Sequence, residues 1–425
     1  MEHHLHTLQN GLRIVFLPLR DAKTATVMVM TGTGSRYENE RENGLAHFLE
    51  HMFFKGTVKR PSAKAVSEEL DGVGSQYNAF TAKDRTAYYA KVSSRYLNTA
   101  LDVIGDIFLN STLPGREIAK ERGAIIQEIG MYEDMPMRTV GNVYEELVFG
   151  TNHPLGRTIL GPKENILRFS RKDFMTYLSR NYVPANTVVC VAGAFSEKAV
   201  LAKIRRNFGS LKAAPAPLMQ VFENDQTEPR IAIKEKKTDQ TQLMIGVPSY
   251  PFEHADEYAS EVLAAILGGG MSSRLFSEVR ERRGLAYFIR AWTDKYTDTA
   301  HLIVQAGVEH GKLEKTIATI LAEFKKLKRT PVSTAELKKV KAHIQGSLEL
   351  ELEATDNMAE NASSSLLSMG RLRTADEIVR GIGAVTAADV QRVARHIFKN
   401  TGLSLAIIGP HDEAKKATLR SLLRI

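Results

Sequence analysis

The chain has 425 residues, 43% apolar and 25% charged, the balance of a soluble globular protein long enough for more than one core. Its net charge of +8 is scattered along the sequence, with no aromatic-interleaved basic stripe, which argues against a nucleic-acid partner. No run of 18 apolar residues occurs, so no membrane span is expected, and the single cysteine, Cys190, excludes an intrachain disulfide.

In chain order, MEHHLHTLQNGLRIVFLPL enters a strand-like pattern almost at once. It lacks the basic start and apolar stretch of a signal peptide and any Arg/Ser-rich transit segment, so a cytoplasmic, bacterial-type protein is expected. GLAHFLEHMFFKGT then reads as a helix carrying His47, Glu50 and His51 in the order H-x-x-E-H, the inverzincin signature. Histidines at i and i+4 project from one helical face, so both imidazoles can reach a single tetrahedral Zn²⁺, with Glu50 beside them. QYNAFTAKDRTAYY reads as strand, and YLNTALDVIGDIF as an amphipathic helix. The helix REIAKERGAIIQEIGMYED offers Glu121 and Glu128, seven residues apart and close to one line. On spacing alone, either could be the third ligand of a catalytic zinc.

Cys190 lies in the apolar strand NTVVCVAGAF and reads as a buried, inert thiol. Phe208–Arg230, with its Ala-Pro repeats, supports neither helical nor strand periodicity and is the linker of the chain. Gly268–Gly270 follows a helix without the Lys-Ser/Thr ending of a phosphate loop and reads as a flexible connector. In SEVRERRGLAYFI, Arg280, Arg282 and Arg283 fit a basic helix end, and Tyr287 a strand aromatic.

The two halves look alike. YLNTALDVIGDIF matches KLEKTIATILAEF, and the strand TAYYAKV matches TAHLIVQAG. Further on, VVCVAGAF parallels LSLAIIGP, with Gly193 and Gly409 at equivalent strand ends. The expected fold is α+β: two homologous domains, residues 1–212 and 230–425, joined by a linker at 213–229. Each is a mostly antiparallel sheet of five or six strands with helices against one face. The second half has no H-x-x-E-H, so one zinc site per chain is expected.

GSRYENERENGLAHFLEHMFFKGT, NAFTAKDRTAYY, ERGAIIQEIGMYED, HPLG and GGGMSSRLFSEVRERRGLAY together resemble the pitrilysin family of zinc peptidases, which includes mitochondrial processing peptidase and insulin-degrading enzyme. The blocks span essentially the whole chain. The resemblance implies that Glu128 is the third zinc ligand, Glu121 an outer partner, and Glu50 the general base of peptide hydrolysis. It also implies that Arg280 and Tyr287 stabilise the oxyanion or hold peptide carbonyls, and that Asn78, Ala79 and Phe80 lie on an edge receiving the substrate as an added strand.

Processing peptidases carry acidic residues where this chain has Arg138 and Asn142, so strict presequence processing is disfavoured. The expected activity is a zinc endopeptidase or oligopeptidase acting on extended peptides in a closed chamber. The alternatives are a maturation protease for one precursor and a non-catalytic structural subunit. Larger relatives join four such domains in one chain, so a two-domain chain is expected to form a homodimer with shared active sites.

Overall fold

The computed structural model describes residues 2–425. Its strands are β1 (His4–Thr7), β2 (Arg13–Pro18), β3 (Thr24–Thr31), β4 (Gln76–Thr81), β5 (Thr86–Ser93), β6 (Thr187–Gly193), β7 (Arg230–Glu235), β8 (Thr241–Pro248), β9 (Ala286–Lys295), β10 (Ala300–Val308) and β11 (Ser404–Gly409). The helices that matter below are α1 (Leu45–Phe53), α2 (Leu97–Asn110), α3 (Gly115–Glu133), α4 (Pro136–Phe149), α5 (Glu257–Gly268), α6 (Leu313–Arg329) and α7 (Thr355–Met369).

The strands form two sheets, ordered β1-β2-β6-β3-β5-β4 and β7-β11-β8-β10-β9. Apart from the extra β1, they follow one plan. In each, the only parallel pair is the equivalent one, β2 with β6 and β7 with β11, and every other pairing is antiparallel. The repeat seen in the sequence is therefore a repeat of topology. β5 and β10 hold equivalent places, as do β6 and β11.

The chain divides into two compact units. Unit 1 comprises residues 1–130, 157–220 and 349–375, and unit 2 comprises 131–156, 221–348 and 376–425. Each unit thus takes one helix from the opposite half of the sequence. In unit 1, α7 places Met358, Ala359, Ala362 and Leu366 against Val15, Met28, Met30, Val188 and Cys190. In unit 2, α4 places Val140, Tyr144 and Val148 against Met244, Ile303 and Ala406.

The sheets are consequently covered on both faces, not one. This explains why β3 and β6 are buried almost residue by residue: both alternating sets of side chains face covered layers. Which sheet a helix covers is a non-local property that helical periodicity does not carry. Cys190 sits in this second layer, where burial pushes its thiol up to about 12.

The other face of the unit 1 sheet packs on α1 and α2. Phe53 of α1 stacks on Tyr88 of β5 with ring centroids 4.7 Å apart, and Phe48 meets Phe174 edge-on at 5.0 Å. These rings fix the rotation of α1. The Gly268–Gly270 stretch departs from a loose connector. Gly268 ends α5, and a Cβ there would lie 2.2 Å from the Ala291 amide nitrogen on β9, so only glycine permits this packing.

Candidate metal centre

α1 begins at Gly44, whose φ of +99° suits glycine and whose side offers no cap. Glu38 supplies the cap from six residues upstream. One carboxylate oxygen accepts the Ala46 N–H at 2.6 Å, and the other accepts the Gly44 N–H at 2.9 Å and the Asn43 amide at 3.2 Å. The helix start that carries His47 is thereby held from inside the fold.

On α3, Ile118, Ile125 and Ile129 enter the core. Glu121 and Glu128, beside that apolar line, meet α1. The His47 and His51 Nε2 atoms are 3.3 Å apart, and Glu128 Oε2 lies 3.7 Å from the first and 3.5 Å from the second. Among the described residues this is the single cluster of three or more potential ligand atoms close enough to share an ion. A tetrahedral zinc with bonds of about 2.0–2.1 Å has ligand atoms about 3.3 Å apart, so the three atoms already stand near the corners of such a site.

The remaining contacts set the protonation. His51 Nδ1 donates to Glu121 Oε1 at 2.9 Å, and Glu121 Oε2 pairs with Lys55 Nζ at 2.6 Å. Burial raises the Glu121 carboxyl, but the His51 and Lys55 bonds outweigh it and the net shift is downward. That bond turns His51 Nε2 toward His47 Nε2, where a proton or a metal cation can lie between the two nitrogens. Burial, with help from His51, lowers His47 to about 3, so its ring is neutral. For His51, burial acts downward, but Glu121, Glu50 and Glu128 prevail and raise it. The surplus of carboxylates that favours a proton there favours a metal cation for the same reason. His47 Nδ1 is buried with no hydrogen-bond partner.

Glu50, on the adjoining face of α1, accepts the Thr81 hydroxyl at 2.5 Å. Burial raises its carboxyl, while Thr81 and His51 pull the other way and Glu128 adds to the rise. A carboxylate raised toward neutrality makes an effective proton acceptor. Thr81 ends β4, the outermost strand of its sheet, along which Asn78, Ala79 and Phe80 lie. Sequence reasoning singled out neither Thr81 nor Lys55 nor Glu38. Lys55 stands one turn beyond His51, the one cue that spacing offered.

Arg280 and Tyr287 belong to unit 2 and lie together there. Arg280 sits in a π-helical turn, Phe276–Glu281, and its guanidinium is 5.3 Å from the Tyr287 ring centroid. Tyr287, at the start of β9, is 74% exposed. π-Turns concentrate at functional positions.

Known proteins resemble this chain along most of its length. Residues 14–163 match the family described as Insulinase (Peptidase family M16), and residues 168–344 match the Peptidase M16 inactive domain. The chain is 37% identical to the uncharacterized zinc protease YmxG of Bacillus subtilis, over 95% of this chain and 98% of that one. It is 32% identical to an uncharacterized zinc protease of Rickettsia felis, over 96% and 98%. The crystal structure of a protease from Helicobacter pylori superposes with a TM-score of 0.89 at 27% identity, covering 96% of this chain and 99% of that one. With relatives this similar along nearly its whole length, the chain belongs to peptidase family M16, the insulinase family.

Proposed function

We propose that this protein is a zinc-dependent endopeptidase or oligopeptidase that cleaves extended or unfolded peptides. The observation that carries the reading is the convergence of His47 Nε2, His51 Nε2 and Glu128 Oε2 within 3.3–3.7 Å, with Glu50 alongside. Zinc held by these three residues, one ion per chain, would polarise the scissile carbonyl and acidify a water molecule. Glu50 takes the proton from the attacking water and returns it to the leaving amine. Thr81 holds one Glu50 oxygen and so leaves the other for the proton. Glu121 holds His51 in the orientation that presents Nε2.

Substrate joins β4 as a further strand along Asn78–Phe80, so backbone bonding supplies affinity with little sequence preference. Arg280 and Tyr287 donate to the developing oxyanion or to the peptide's carbonyls. The active assembly is a symmetric homodimer enclosing a chamber, in which each subunit lends this pair to the other's metal site. The complete triad and base, together with an intact Arg/Tyr pair, favour this reading over a non-catalytic subunit. Arg138 and Asn142 on α4 disfavour strict presequence processing.

The test is Glu50→Gln, assayed for metal content and for turnover of an unstructured peptide. The variant is expected to keep zinc and lose at least ~100-fold in hydrolysis. Full activity with zinc bound would remove Glu50 from the mechanism, and an unmodified protein that binds zinc but cleaves no peptide would sink the reading.

A further inference from the structure

Unit 2 holds a cleft of about 520 Å³ between α4 and the strands β9 and β10, within the ~300–1,000 Å³ range of small-ligand sites. α4 packs on β7, β8 and β11, and the cleft opens beside it on the same sheet. Its charges are ordered. Gln305 Nε2 donates to Met137 O at 2.7 Å, and the Tyr144 hydroxyl meets His301 Nδ1 at 3.1 Å, so α4 runs alongside β10 from Gln305 toward His301. On β9, Arg290 pairs with Gln305 and Asp294 with His301. Arg138 and Arg290 therefore stand at one end of the cleft, Glu145 and Asp294 at the other.

Among the described residues that line the cleft, none at the cationic end is a carboxylate. Arg138 reaches the Tyr132 hydroxyl at 3.3 Å, while Arg290 donates to Gln305 Oε1 and lies 4.5 Å over the Trp292 ring. The N-terminus of α4, where Arg138 sits, adds its dipole to this end. Trp292 and Ile303, paired across β9 and β10, make the wall between the two ends apolar. Arg138 to Glu145 is about 10 Å along a helix, and Arg290 to Asp294 about 13 Å along a strand. An extended peptide covers about 3.3–3.6 Å per residue, so three or four residues bridge the two ends.

We propose that this cleft binds a free peptide of about three or four residues, its carboxylate on Arg138 and Arg290 and its ammonium toward Glu145 and Asp294. Such peptides have the size and termini of fragments an oligopeptidase releases; the inference rests on the proposed function for that source, while the binding itself does not.

Trp292 is the chain's one tryptophan and lines the cleft, so its emission reports on occupancy. In the Glu50→Gln protein, the tetrapeptide Ala-Leu-Leu-Ala would be titrated beside its C-terminal amide and its N-acetyl form, by Trp292 emission and by calorimetry. Each blocked form is expected to bind about tenfold more weakly or worse, the loss of one charge-assisted contact. Arg138→Gln, an exposed change that leaves Arg290 in place, should weaken the free peptide and narrow its advantage over the amide, and leave the amide unchanged. Equal binding of free peptide and amide, or binding indifferent to Arg138→Gln, would overturn the proposal, as would the absence of both heat and emission change at millimolar peptide. Peptide cleavage by the unmodified protein is scored separately. Cleavage without binding in the cleft rejects the cleft alone, and binding without cleavage supports the cleft while rejecting the peptidase.

Discussion

The Glu38 carboxylate accepts the Ala46 N–H at 2.6 Å, one residue before the first metal-site histidine, so the cap of α1 is also a support of the candidate centre. Glu38 is 1% exposed. Glu38→Ala leaves the Gly44 and Ala46 amides buried and unpaired, which costs about 1–3 kcal/mol for such a group. We expect a lowered denaturation midpoint and weakened zinc binding at His47 and His51. An Ala variant with unchanged stability and zinc affinity would contradict the capping role.

The same residue sets a pH dependence. Burial pushes the Glu38 carboxyl up from 4.5 to about 8, against the downward pull of the Ala46, Gly44 and Asn43 bonds. A folded-state pKa above the unfolded one means that the folded state holds the extra proton. The stability from this group is therefore present in full below pH 4.5 and is lost as pH rises toward 8. Denaturant titrations of metal-free protein at pH 5 and pH 8 should show a smaller difference for Glu38→Gln than for the parent. Equal differences would mean that Glu38 does not titrate in this window.

The two α3 carboxylates separate by their consequences. Glu128→Gln, like His47→Ala and His51→Ala, should abolish stoichiometric zinc, because each removes an atom of the three-point cluster. Glu121→Gln should leave zinc bound but ~10–100-fold more weakly, the usual cost of losing a partner behind a ligand. Competition with a zinc chelator measures both. The reverse order would exchange the roles of Glu121 and Glu128.

The legible part of this site was the part governed by a local period. Positions 47, 50 and 51 are related by one helical turn, which sequence fixes before any tertiary contact forms. Glu121 and Glu128 were visible as a pair, but helical spacing cannot say which one meets Nδ1 and which Nε2. Glu38 was invisible because a cap is ordinarily sought at the residue before the helix, where Gly44 stands. The exchanged helices α4 and α7 were missed for a related reason: their amphipathic faces mark them as packed, not against which sheet. The repeat was legible because two of its strand pairs keep a similar apolar pattern and one of them, β6 with β11, keeps its terminal glycine.

Thr81 gives a kinetic handle on Glu50. Its hydroxyl lowers the Glu50 carboxyl against the upward push of burial. Thr81→Val removes that bond and leaves burial unopposed from this side, so the Glu50 pKa should rise. A base must be ionised to act, so the acidic limb of kcat/KM should move to higher pH while zinc content stays constant. An unmoved acidic limb would exclude Glu50 as the group that limb reports.

The proposed dimer predicts rescue between two inactive proteins. Glu50→Gln spoils the metal site of its own chain, and Tyr287→Phe spoils the pair lent to the partner. In a mixed dimer, the site that joins the intact Glu50 of one subunit to the intact Tyr287 of the other is whole. Random pairing makes half the dimers mixed, each with one good site of two, so co-expression should restore about a quarter of parental activity. If Tyr287 instead served the metal site of its own chain, every site in every dimer would carry one lesion and nothing would return. Differently tagged subunits purified through both tags guarantee that mixed dimers are assayed, which doubles the expected recovery to about half of parental activity per dimer. Inactive doubly tagged dimers would end the shared-site arrangement, and a protein that never co-purifies with its second tag would end the dimer itself.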